Sequence, residues 1–303
     1  MIDPREVAIM VVHGNGPYYE APFALEHSWP RLQMERLRRH TPEGFRVLVA
    51  GNRLIAEHEA FLNACPEVEL YSTTAGQIPR FQEIWRFRHW LVAKALGRFR
   101  YLVTLDADAF PVRDGWLERY LEPLSEAQPV AAVQRLENGD RHADRCFLVC
   151  TAEAWRRRQF SFDPAIADAG FLISYKLEQA GLDWRKLNRS NRWDPHPLTA
   201  AIYDDAVYHH GAGGRLPMYR MNQDAWQGDQ LDSAAFRREV ELHNALVRLV
   251  HADTDLFLAR LRGEADPIAE DELLALGRQI TASRPELGRP LVDDRDRKPG
   301  TPA

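Results

Sequence analysis

Three times in its first hundred residues the chain passes from a short apolar run into a helix-patterned stretch, and then it enters a fourth apolar run. "VAIMVV" (7–12) leads into the glycine-bearing "HGNG", and a helix is expected from about Ser28, with Pro30 tolerated in its first turn. "FRVLVAG" (45–51) precedes the helical "RLIAEHEAFLNA", and "VELYS" (68–72) precedes a longer helix over about 80–97. That helix carries Phe81, Ile84, Phe87, Leu91 and Ala95 near one face, and the fourth run, "YLVTL" (101–105), follows it. Alternation of this kind predicts an α/β domain with a mostly parallel central sheet flanked by helices, Rossmann-like in its first half. Such sheets bind ligands beyond the carboxyl ends of their strands.

The second half is less regular. "PVAAVQRL" (129–136) and "CFLVC" (146–150) read as strands, and 166–181 reads as a helix closed by Gly181. "AIYDDAVYHHGAGGR" (201–215) reads as one short strand entering a glycine-rich loop. Apolar residues spaced by threes, fours and sevens over 233–262 predict a long helix, and a second covers 268–282. The expected organisation is a catalytic domain over 1–232, a C-terminal helical segment over 233–290 and a polar, disordered tail over 291–303. The near-heptad spacing also suits a homodimer through the C-terminal helix, and intramolecular packing accounts for it equally well.

Composition removes several functional classes. The formal net charge is −5 with no lysine- or arginine-rich block, which argues against nucleic-acid binding. No apolar run reaches the ~20 residues of a membrane span, and the first strand does not read as a secretory leader, so a cytoplasmic location is expected. Three cysteines, Cys65, Cys146 and Cys150, form no C-x-x-C pair and suggest neither a disulfide framework nor a zinc site.

The chemistry concentrates at two places. In "YLVTLDADAFP" an apolar strand runs into Asp106 and Asp108. Residues i and i+2 of an extended chain point to the same side, roughly 6–7 Å apart. Two carboxylates so close repel unless a cation lies between them, and Mg²⁺ or Mn²⁺ suits that donor type. The second place is "VYHHGAGGR", where His209 and His210 precede three glycines and Arg215. Imidazole ligates Mn²⁺, glycines admit an anion to backbone N–H groups, and a guanidinium forks onto phosphate. Alternation lets only one of the two histidines face the metal, and the place beside the glycine turn favours His210.

The aspartate segment resembles the D-x-D of GT-A fold glycosyltransferases, family-2-like and soluble, at the depth expected after three strand–helix units. The late histidine loop resembles the element that completes the metal site in many of them. The resemblance implies a metal-dependent transfer of a sugar from a UDP- or GDP-linked donor to an acceptor, with inversion. Asp106 would meet the ribose or the metal's water shell, and Asp108 would ligate the metal. The metal and Arg215 would stabilise the departing diphosphate. Asp168, in "PAIADAGFLISYKL", resembles the acidic residue placed near the acceptor as general base, with Asp163, Asp204 and Asp205 as rivals. Asp205 is also a candidate to orient a histidine.

The nucleotide would meet His13, Gly14 and Asn15 after the first strand and Asn52 after the second. Arg86, Arg88 and His89, on the helix before the D-x-D, are candidates for the diphosphate. The chain has "AGNRL" where many relatives in that family carry an acidic "DDGS"-type turn, which leaves the nucleobase open. Nucleotidyl transfer on a similar fold is the neighbouring alternative. A haloacid-dehalogenase-like phosphatase fits less well, because Phe110 stands where those enzymes carry Thr or Val.

Overall fold

The protein is described from a computed structural model, which covers residues 2–14, 26–79, 84–164, 170–211 and 233–284. Strands β1 (Val7–Gly14), β2 (Arg46–Asn52), β3 (Val68–Ser72), β4 (Tyr101–Leu105), β6 (Val130–Val133), β7 (Asp144–Thr151) and β8 (Arg185–Leu187) form the main sheet. Their order is β3-β2-β1-β4-β7-β6-β8. Every pairing is parallel except those of β7, which runs antiparallel to both β4 and β6. The α/β class with a mostly parallel, helix-flanked sheet is therefore what the chain adopts.

Helices cover both faces, which is why β1 can be apolar along its length. They are α1 (Trp29–His40), α2 (Ala56–Asn63), α3 (Ile84–Ala95), α4 (Trp116–Leu121), α5 (Ala152–Arg158) and α6 (Phe171–Gln179). Val7, Ile9 and Val11 face Met34 and Leu37 of α1 and Trp116 and Tyr120 of α4. Ala8 and Met10 face Phe87, Leu91 and Ala95 of α3, with Trp155 of α5 and Ile173 of α6 farther along that layer. The Ser28 hydroxyl caps α1 by accepting from Arg31 N–H, with Pro30 in the first turn as expected.

The second half departs from the sequence reading in two places. Residues 201–209 form a hairpin of β9 (Ala201–Tyr203) and β10 (Val207–His209), not one strand. Asp204 and Asp205 make the turn in the left-handed region, with φ of 49° and 58°, a conformation Asp tolerates better than most residues. With β5 (Ala109–Pro111) the hairpin forms a small sheet in the order β5-β10-β9. The helix expected over 233–262 is two, α7 (Ala234–Ala252) and α8 (Thr254–Leu261). Asp253 breaks it with φ −153° and ψ 90°, and its side chain caps α8 by accepting from Leu256 N–H.

Helices α7, α8 and α9 (Glu270–Ser283) cover the small sheet. Phe236, Val240, Val247, Val250, Phe257 and Leu261 all reach the interior. Most of them join Trp29, Leu32, Phe110, Val112, Ile202 and Tyr208 in one cluster. The near-heptad spacing of this segment is thus accounted for inside the chain. Among the described residues, no helix is long and apolar enough to cross a membrane. All three cysteines are buried thiols.

Candidate metal centre

Asp106 directly follows β4, and Asp108 lies in the turn that leads to β5. Hydrogen bonds hold the backbone of this turn at several points. Asp106 N–H donates to Cys146 O (3.0 Å), Ala109 N–H to Asp106 O (3.0 Å) and His210 N–H to Asp108 O (3.0 Å). Antiparallel pairing sets His209 opposite Ala109 and Tyr208 opposite Phe110. That register decides between the two histidines.

His209 shares the face of Ala109 and brings Nε2 to 3.5 Å from Asp106 Oδ2 and 3.5 Å from Asp108 Oδ1. His210 points with Tyr208 to the opposite face. There its Nδ1 is hydrogen-bonded to the Tyr208 hydroxyl at 2.7 Å, and its ring packs 5.0 Å from those of Trp29 and His243. The preference for His210 is therefore corrected: the residue facing the carboxylates is His209. Glycine adjacency misled because the orientation comes from the strand pairing, not from the loop beyond it.

The ligand atoms of Asp106, Asp108 and His209 all lie within 4.8 Å of one another. An octahedral ion with bonds of ~2.1 Å separates adjacent ligand atoms by about 3.0 Å. The two histidine–carboxylate separations of 3.5 Å lie close to that, and rotation of the two carboxylates toward each other would bring all three donors onto one ion. Two carboxylate oxygens and one imidazole nitrogen form a donor set suited to Mn²⁺ or Mg²⁺. The donors fit the ion that the spacing implied.

The surrounding charges are balanced. Burial alone would push the Asp106 carboxyl up, but the Arg88 guanidinium, in direct contact, and the His209 ring hold it well below the usual range. Burial alone would lower His209, yet the neighbouring Cys146 and the two carboxylates hold it well above an ordinary imidazole. Asp144, at the bulged start of β7, is a third buried carboxylate close by, accepting from Cys146 N–H at 2.7 Å. Its burial is likewise outweighed by Arg145 and Arg135.

The other candidates divide. Gly14 sits opposite Asn52 at the carboxyl edge of β1 and β2. His13, beside Gln33, is nearly fully enclosed, and its Nε2 has no hydrogen-bond partner among the described residues. Burial lowers its pKa to about 3, so the ring is neutral. Of the three groups on α3, Arg88 reaches Asp106. His89 Nε2 instead meets the Ser161 hydroxyl (3.1 Å) and accepts from Phe162 N–H (2.9 Å), and Arg86 lies over the Trp85 ring. Asp204 is held by Arg119, Tyr120 and Arg185. Asp205 lies at the hairpin turn, the end away from His209, so it does not orient that ring. Asn15, Asp168 and Arg215 lie outside the described residues.

Sequence reasoning missed Asp144, Arg145 and Gln33. A glutamine on an amphipathic helix reads as solvated, and only the bulge in β7 brings Asp144 to the centre.

No protein-family model matches the chain, and no curated protein does. Solved structures overlap it in part. One described as a nucleotide-diphospho-sugar transferase from Desulfovibrio desulfuricans G20 is 11% identical over 60% of this chain and 80% of its own, with a TM-score of 0.44. A CMP:2-keto-3-deoxy-manno-octonic acid synthetase bound to CTP is 13% identical over 60% of this chain and 89% of its own, at 0.41. S. aureus TarS 1–349 is 9% identical over 92% of this chain and 72% of its own, at 0.42. At these identities and scores the overlaps are loose, and the chemistry rests on the centre's own geometry.

Proposed function

We propose that the chain is a metal-dependent glycosyltransferase that moves a sugar from a UDP- or GDP-linked donor to an acceptor. The observation that carries this reading is the convergence of Asp106, Asp108 and His209 at the carboxyl edge of the sheet, with Arg88 and Arg145 beside them. Asp106, Asp108 and His209 would hold Mn²⁺ or Mg²⁺, whose positive charge would stabilise the departing diphosphate. The chain's own part is to hold the aspartates and the imidazole in place, and to offer Gly14 and Asn52 along the edge where a nucleoside would lie, with His13 enclosed behind them. Asp168 remains the proposed general base, by its resemblance to that element, and Arg215 a proposed phosphate contact.

Calorimetric titration with UDP and GDP, with and without Mn²⁺, tests the reading. Binding that requires Mn²⁺ and is lost in Asp108→Ala and His209→Ala supports it. Metal-independent binding, or none with either nucleotide, overturns it. Once a donor is found, Asp168→Asn should abolish transfer while nucleotide binding survives. Retained turnover would reassign the base.

A further inference from the structure

Gln33 lies on α1, seventy-three residues before Asp106, and is 1% exposed. Its side-chain amide nitrogen donates to Asp106 O at 2.8 Å and to Ala109 O at 2.5 Å. These carbonyls are the two ends of the turn that carries the aspartates, so one NH₂ group pinches the turn across its mouth. The two N–H bonds of a primary amide diverge, which lets a single side chain serve both acceptors. Glutamate at this position would set a carboxylate against two carbonyl oxygens. An apolar residue would leave the Ala109 carbonyl without this donor.

Trp29 stands one helical turn before Gln33, on the same face of α1. Its ring packs 5.0 Å from that of His210, the neighbour of His209. Helix α1 therefore touches both halves of the centre, the aspartate turn through Gln33 and the histidine strand through Trp29. The capping bond at Ser28 fixes where that helix begins, and Ser28 is itself bonded to His58 of α2 at 2.9 Å.

We propose that Gln33 is a positioning residue for the metal centre, setting the separation of the Asp106 and Asp108 carboxylates by clamping their turn. The inference rests on the metal reading above. Outer groups that orient ligands typically govern about 10–100-fold of metal affinity.

The test uses the full chain with Gln33→Met, which keeps the bulk and removes the donors, and Gln33→Glu. Phe45→Ala, buried just before β2 at the amino edge of the sheet and away from the centre, is the control for destabilisation alone. Mn²⁺ affinity is read from the electron paramagnetic resonance signal of free Mn²⁺, and exchange of the Ala109 amide is followed by mass spectrometry. Both Gln33 variants should weaken Mn²⁺ binding by about ten-fold or more and speed exchange at the turn. Phe45→Ala should lower the melting temperature and leave Mn²⁺ affinity unchanged. Mn²⁺ affinity within about two-fold of the parent in Gln33→Met overturns the proposal, as does an equal loss in Phe45→Ala. If the parent chain binds no Mn²⁺, the metal reading has failed. Exchange at Ala109 then decides separately whether Gln33 holds the turn.

Discussion

His209 and His210 are neighbours with opposite duties: one ring faces two carboxylates, and the other lies among Tyr208, Trp29 and His243. A buried histidine of the second kind makes stability depend on pH. His251 is the clearest case, with its Nδ1–H donating to Val247 O at 2.9 Å and its ring 4.5 Å from that of Trp29. Burial lowers its pKa to about 4. Above pH ~6.5 the ring is neutral whether folded or not, and nothing is lost. Below that the unfolded chain takes up a proton that the folded chain refuses until about pH 4, so stability falls through this window. The loss from His251 alone should approach about 3 kcal/mol. Denaturant titrations from pH 7 to 4 should show it, and His251→Phe should flatten that part of the profile. At this scale the sequence was legible in residue type but not in direction. Two aspartates and a histidine dyad announced a metal site, while the choice of His209 needed the pairing of β10 with β5.

Elements were more legible than their ends. The strands 68–72 and 101–105 were readable to the residue: "YLVTL" is almost wholly apolar and bounded by Arg100 and Asp106, and in "VELYS" Glu69 alternates with the apolar Val68 and Leu70. The hairpin at 201–209 was hidden because two adjacent aspartates in left-handed conformations do not advertise a turn as Asn-Gly would. The break at Asp253 was hidden because the apolar spacing continues across it. Some contacts between elements rest on single atoms. At Gly277 of α9 a built Cβ would lie 2.0 Å from the Glu241 carbonyl oxygen of α7. Alanine would gain about 1 kcal/mol of helix propensity there, but a clash with another helix's backbone forces the two apart. Gly277→Ala should therefore destabilise by about 1–3 kcal/mol net, read as a lower melting temperature, with a control Ala at an exposed α9 site having little effect.

Across the whole molecule, the C-terminal helices are part of the support for the centre. They cover Phe110 on β5 and Tyr208 on β10, the residues paired beside the strand positions that carry Ala109 and His209. A chain ending at 232 would uncover Phe110, Val112, Ile202 and Tyr208 together. It should bind a hydrophobic dye, lose near-ultraviolet circular dichroism and fail to hold Mn²⁺. A folded, dye-silent fragment with parental Mn²⁺ affinity would show that the first 232 residues stand alone. This dependence was not legible beforehand, because a periodic apolar face shows that a helix is covered without showing by what.

The pairing of β5 with β10 joins residues about a hundred positions apart, and that distance is also an interval of time. At synthesis rates of ~5–20 residues per second, the aspartates precede His209 out of the ribosome by roughly 5–20 seconds. Through that interval the nascent chain carries two like charges with no imidazole to set against them. The helices that cover the small sheet come later still. The cluster of Asp106, Asp108 and His209 is thus a late product of translation, assembled only after the hairpin that carries His209 has been made.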